Sequence, residues 1–173
     1  VIGGIDFLRK VVRNEEIDLG ENVAIVGGGN TAMDACRTAV RLGAKKVYNI
    51  YRRTKNEMPA DMVEITEAEE EGVIFKNLTN PIEVVADENG RVKEVVLQVM
   101  ELGEADASGR RRPVPVEGKT ETIKVDTMIL AIGQAVDASK FDDLDKTKKG
   151  AIAYDKDTFM TSMEGVFAGG DCG

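Results

Sequence analysis

The spacing of apolar and polar positions changes character several times along the chain. Ile5, Leu8 and Val12 are spaced i, i+3 and i+7, and Phe7 with Val11 widens the stripe, which predicts a short amphipathic helix from Ile5 to Arg13. A polar linker, Asn14 to Asn22, follows, and then four consecutive apolar residues, Val23, Ala24, Ile25 and Val26. A run so short and β-branched fits a strand buried on both faces. A helix is expected from Asn30 to Leu42 and a second strand from Lys46 to Tyr51. Met58-Pro59 breaks the chain, a helix is expected from Ala60 to Glu71, Gly72 ends it, and Val73 to Phe75 reads as a third parallel strand. In that helix Glu67, Glu69, Glu70 and Glu71 read as a solvated face.

From there the period is two. Ile82 to Ala86, Val92 to Leu102 and Thr120 to Val125 alternate like antiparallel strands, with Asp87-Glu88-Asn89-Gly90 as a hairpin turn. Gly103 to Pro115, containing Ala105, Ser108, Gly109 and the triplet Arg110, Arg111 and Arg112, reads as a mobile hairpin loop with a solvated tip. Thr127 to Ile132 is again a buried parallel strand, Phe141 to Gly150 is loop-like, and Ala151 to Asp155 and Gly165 to Ala168 read as short strands. The order predicts an α/β fold: a Rossmann-like parallel sheet with flanking helices and an inserted three-stranded antiparallel β-meander. Residues 1–20 are read as a linker helix and linker, 21–135 as a dinucleotide-binding domain with its meander at about 80–126, and 136–173 as a return segment.

Chemistry concentrates where the first buried strand stops. Gly27, Gly29 and Ala32 match the Gly-x-Gly-x-x-Ala form of the dinucleotide fingerprint. Gly27 permits the tight turn, Gly29 lets a pyrophosphate approach the backbone, and Ala32 lets the helix lie close to the strand. Gly28, Asn30 and Thr31 belong to the same turn and count with the cofactor-binding residues. The helix would then aim its free N–H groups and positive dipole end at the phosphates. Glycine turns also join strands and helices that bind nothing, so the next strand matters. Where an NAD-binding protein carries a carboxylate for the ribose hydroxyls, this chain has Arg52 and Arg53, which suit an extra phosphate and favour NADPH. The plainer reading of the pair is a solvated strand end.

Composition narrows the classes. Among 173 residues, 42% are hydrophobic, enough for one real core with an appended lobe. With 23 basic and 31 acidic residues the net charge is −8, which disfavours nucleic acid and anionic membrane surfaces. No long apolar run or signal peptide occurs, so a cytoplasmic protein is expected. Cys36 and Cys172 form no Cys-x-x-Cys and histidine is absent, so no metal site or catalytic side chain is expected and any chemistry belongs to a cofactor. Cys36 shares a helix face with Ala32, Ala39 and Val40 and reads as a packed core thiol. A chain that starts at Val1 and stops at Gly173 reads as an excised domain.

Three motifs occur in fixed order: VAIVGGGNTAMD with Arg52-Arg53, TMILAIGQ at 127–134 and GVFAGGDCG at 165–173. Together they resemble the pyridine-nucleotide module of flavoproteins with two dinucleotide-binding domains. The finer likeness, in GIDFLRKV at 4–11, YRRTKNEMPA at 51–60 and EEEGVIF at 69–75, is to the glutamate synthase small-subunit family. The resemblance implies NADPH as hydride donor and FAD as acceptor, the FAD held by another domain of the same polypeptide. It further implies onward electron transfer through an iron–sulfur domain to a glutamate synthase large subunit. By position, Gly27, Gly29 and Asn30 would contact the pyrophosphate, Arg52 and Arg53 the 2′-phosphate, and Gly133 and Gln134 the dinucleotide at the domain junction. Asp171 matches the residue these proteins place near the ribityl and pyrophosphate of FAD. The chain has no second glycine fingerprint for FAD and no cysteine set for clusters, so in isolation it is expected to bind NADPH, retain no flavin and transfer no electrons. The rival reading is an NADP(H)-binding sensor without catalysis; a methyltransferase would want an acid where Arg52 and Arg53 stand.

Overall fold

In the computed structural model, which describes residues 1–105 and 109–173, two compact units are present, Val1–Ile132 and Gly133–Gly173. The first is built on a five-stranded parallel sheet in the order β1-β8-β2-β3-β4, formed by Ile2–Gly3 (β1), Asn22–Val26 (β2), Lys46–Tyr51 (β3), Ile74–Asn77 (β4) and Thr127–Leu130 (β8). Helices Gly4–Val12 (α1), Asn30–Arg41 (α2) and Met62–Glu70 (α3) join strands of this sheet. An antiparallel sheet of Thr79–Ala86 (β5), Val92–Ala105 (β6) and Arg111–Lys124 (β7) is inserted between β4 and β8.

The alternation along β2 shows why its residues are all apolar. Val23 and Ile25 enter the core shared with Phe7, Met33, Cys36 and Ile65 of the helices. Ala24 and Val26, pointing the other way, pack with Val95, Leu97 and Val125 of the meander and its exit, together with Ile50 and Met128. Both faces of the parallel sheet are therefore covered, one by helices and one by the meander.

Several boundaries differ from the sequence expectation. The first twelve residues join the sheet unit, because Ile2 and Gly3 pair in parallel with Ile129 and Leu130 and Phe7 is fully buried. Helix α3 begins at Met62, not Ala60, since Asp61 caps it by accepting the Val63 N–H at 3.2 Å. A 3-10 turn, Lys55–Glu57, precedes it, with Thr54 N–H donating to Glu57 Oε2 at 3.1 Å. The expected loop from Gly103 to Pro115 is mostly strand: Pro113 faces Leu102 and Pro115 faces Met100. Prolines are tolerated there because β7 is an edge strand and one side of it needs no N–H donors. The part of that loop around Ser108 lies outside the described residues.

The glutamates of α3 are also more engaged than a solvated face. Arg37, with 17% of its side chain exposed, reaches Glu64 at 2.8 Å, Glu67 at 2.6 Å and Glu71 at 2.9 Å. Glu69 pairs with Lys55, whose ammonium stands over the Phe75 ring. Packing α3 beside α2 puts Glu64, Glu67 and Glu71 opposite Arg37 of the neighbouring helix, while Glu69 meets Lys55 of the 3-10 turn.

In the second unit, Ala138, Leu144, Ile152 and Ala168 form a small core. The expected strands Ala151 to Asp155 and Gly165 to Ala168 do not form; isolated antiparallel bridges take their place, Lys146 to Ile152, Tyr154 to Thr161 and Met160 to Phe167. Phe159, at φ +60°, interrupts any longer ladder between them. No helix among the described residues is long and apolar enough to cross a membrane.

Candidate nucleotide-binding site

Strand β2 pairs in register with β3 on one side, Val26 facing Ile50, and with β8 on the other, Val26 facing Leu130. The turn after Val26 is thus flanked by two parallel strand ends, the place where ligands sit in open α/β sheets. The three glycines meet different constraints. At Gly27 φ is +145°, and a Cβ would fall 2.2 Å from the Ala131 carbonyl oxygen and 3.2 Å from Ala32 Cβ. At Gly28 it would fall 2.5 Å from the ring of Tyr51. At Gly29, φ −94°, it would meet nothing within 4 Å. The first two glycines are required by the protein's own packing; the third opens onto free space.

The turn is fixed from several directions. Gly27 N–H donates to Ile50 O at 3.0 Å, and Ala131 N–H to Val26 O at 2.8 Å. Asn49, fully buried on β3, donates from Nδ2 to Gly27 O at 2.9 Å, while its Oδ1 has no partner among the described residues. Ala60 N–H donates to Gly28 O at 3.0 Å, and Asp61 N–H to Asn30 Oδ1 at 2.9 Å, so the start of α3 is moored on the glycine turn. Tyr51, whose ring floors Gly28, donates its hydroxyl to Glu57 O at 2.8 Å.

What remains open is the beginning of α2. Gly29 is its N-cap, no side chain caps it, and no acid stands in its first turn. Ala32 and Met33 N–H already return to Gly29 O, at 2.9 and 3.2 Å. The amides of Asn30 and Thr31 precede those bonds and have no helical carbonyl to reach. Cys36 lies inside the same helix, and burial pushes its thiol up to about 12, which keeps it protonated and unreactive.

Arg52 and Arg53 follow the end of β3, one strand over from the turn. Arg52 is exposed, whereas Arg53 is only 7% exposed and donates from Nε to Arg111 O of β7 at 2.7 Å. Gly133 and Gln134 are exposed and open the second unit. Asp171 lies in the 3-10 turn Gly170–Cys172, and its side chain is outside what is described. The structure therefore brings Gly27 to Thr31 together with Arg52 and Arg53 on adjoining strand ends. Sequence reasoning missed Asn49 and Tyr51; the signal available was an asparagine amid the apolar residues of KVYNIY.

The family model for pyridine nucleotide-disulphide oxidoreductases matches residues 1–173. The chain belongs to this family of oxidoreductases. Among its relatives, the NADP(+)-dependent formate dehydrogenase subunit beta of Moorella thermoacetica is 49% identical over 172 residues, which cover 98% of this chain and 24% of that protein. The NADPH glutamate synthase small chain of Azospirillum brasilense is 41% identical over 160 residues, covering 88% of this chain and 32% of that one. The chain thus spans about a quarter to a third of these relatives, which are subunits of larger oxidoreductases. Among solved structures, thioredoxin reductase of T. acidophilum superposes with a TM-score of 0.69 at 21% identity, covering 89% of this chain and 45% of that one, a likeness of fold.

Proposed function

We propose that this chain is the NADPH-binding part of a flavin-dependent oxidoreductase of the glutamate synthase small-subunit type. The observation that carries the proposal is the uncapped start of α2 beside Gly29, where a Cβ would meet only open space. The Gly29 slot and the amides of Asn30 and Thr31 suit a pyrophosphate, with Gly27 and Gly28 shaping the turn that presents them. Arg52, exposed at the end of β3, and Arg53 beside it take the 2′-phosphate that distinguishes NADPH from NADH. Bound NADPH would supply a hydride to FAD, chemistry that would ask this chain for orientation rather than for acid–base groups.

The described residues do not by themselves build an FAD site. The second unit offers Gly133 and Gln134 at its start and Gly169 to Asp171 at its end, with no strand–glycine–helix turn among its described residues. On this reading FAD would be held by another domain of the same polypeptide, whose edge these residues would meet. The relatives being subunits of larger oxidoreductases supports a place beside an iron–sulfur domain and a large electron-accepting subunit. The cytoplasm, where NADPH is abundant and thiols such as Cys36 stay reduced, is the compartment that fits.

Titrating the full chain with NADPH and NADH tests the reading. NADPH should bind more tightly, and Arg52→Ala should weaken NADPH by about thirtyfold, roughly 2 kcal/mol, the scale of a lost charge-assisted contact. NADH should hardly respond. Equal affinities in the unaltered chain would remove the role given to the arginines.

A further inference from the structure

Resting on the reading of Arg52 and Arg53 as the phosphate-binding edge, we propose that Arg111, on the far hairpin of the meander, sets the preference for NADPH by positioning Arg53. Arg53 is held by its side chain and by its backbone. Its Nε donates to Arg111 O at 2.7 Å, and its own carbonyl accepts from Leu78 N–H at 3.0 Å. Leu78 in turn offers its carbonyl to Met100 N–H of β6 at 2.7 Å. Arg53 is therefore attached to both strands of the β6–β7 hairpin.

That hairpin is irregular at this place. The register slips between the Leu102 and Ala105 pairs, so the ladder loses its regular spacing near the tip. The Arg111 side chain spans the gap, donating from Nε to Gly103 O at 2.9 Å and from Nη2 to Leu102 O at 2.6 Å. Two bonds from one planar guanidinium fix the orientation of the strand that carries it. The Arg111 carbonyl, on the same residue, is thereby kept where Arg53 Nε finds it. An Arg53 fixed through Nε holds its fork in one plane, and such preordering lowers the cost of engaging a phosphate. Arg111 acts at a remove: it is a positioning residue.

A latch that only stabilised the hairpin would change melting temperature and leave cofactor choice alone. The test therefore measures NADPH, NADH, 2′,5′-ADP and 5′-AMP binding to the full chain and to its Arg111→Ala variant. We expect NADPH and 2′,5′-ADP to bind about tenfold more weakly, with NADH and 5′-AMP unchanged. Arg111→Lys, which keeps the charge but loses the fork, should fall between the two. Arg112→Ala, which removes the exposed charge next door, should leave all four affinities as they were. An unaltered NADPH to NADH ratio in Arg111→Ala, or an equal loss in Arg112→Ala, overturns the inference. If Arg52→Ala weakens NADPH while Arg111→Ala does not, the binding reading stands and only the role of Arg111 falls. If Arg52→Ala has no effect on NADPH, both fall.

Discussion

The two ends of the parallel sheet treat their backbone amides in opposite ways. At the amino end, Asp126 Oδ2 accepts from Glu21 N–H at 2.9 Å, Asn22 N–H at 2.8 Å and Asn22 Nδ2 at 3.3 Å. Gly20, at φ +70°, leaves room for that carboxylate, since a Cβ there would fall 2.3 Å from Asp126 Cβ. At the carboxyl end, the first turn of α2 carries no acid and no side-chain cap. Helix α3, close by, has Asp61 in that role. The protein supplies its own carboxylate where amides serve the fold and withholds one at Gly29. Stability alone would place Asp or Ser at that N-cap, with a gain of roughly 0.5 kcal/mol over glycine. Glycine there leaves the first-turn amides of α2 without a side-chain cap, as the proposed phosphate site requires.

Supplying the missing carboxylate is the strongest way to break the contrast. Gly29→Asp puts an acid into space that is empty, at a φ of −94° that any residue adopts. The variant should melt no lower than the parent and gain roughly 0.5–1 kcal/mol from capping and the helix dipole. NADPH and NADH should both lose about a hundredfold in affinity, roughly 2.7 kcal/mol, because the carboxylate occupies the phosphate position and repels its charge. A stable variant with unchanged nucleotide affinity would refute the assignment of this turn.

The opposite end should behave in reverse. Asp126→Ala leaves the Glu21 and Asn22 amides without their acceptor and should lower unfolding stability by about 2 kcal/mol, as read from urea midpoints. NADPH affinity should stay within twofold of the parent. Loss of both together would mean that the two ends do not act separately.

How much of this was legible in the sequence follows from what is local. The strands, the glycine turn and the meander could be read because burial on two faces and period-two alternation leave their mark on neighbouring residues. Gly27 and Gly29 could be given jobs, but their difference could not. Gly27 is demanded by the Ala131 carbonyl, just past the end of a strand roughly a hundred residues later, and Gly29 by none of the described residues. Arg53 looked like a twin of Arg52 because adjacency says nothing of burial; its partner, Arg111 O, is contributed by a strand that Pro113 and Pro115 disguised as loop. The short edge strand at Ile2 and Gly3 was hidden for the same reason: two residues have no period, and only β8 reveals the pairing.

A smaller effect sharpens the contrast by touching α2 away from its open end. Glu71 receives Arg41 Nη2 at 2.6 Å and Arg37 Nε at 2.9 Å, joining the far half of α2 to the end of α3. The Arg41 hydrogen bond, against some opposing desolvation and with help from Arg37, holds its carboxyl below the ordinary value of 4.5. A carboxylate that binds protons more weakly folded than unfolded adds stability above its ordinary range, and loses it as pH falls through the lowered folded value. Glu71→Gln should therefore cost roughly 0.5 kcal/mol at pH 7, the scale of a partly screened ion pair, and less in 1 M salt. The gap between variant and parent should close below pH 4.5, as the parent's own carboxylate takes up its proton. Nucleotide affinity at pH 7 should not move, because the Gly29 end of α2 is moored separately through Asn30 Oδ1 and the Asp61 N–H. A stability gap that persists in acid would show that Glu71 contributes through packing rather than charge.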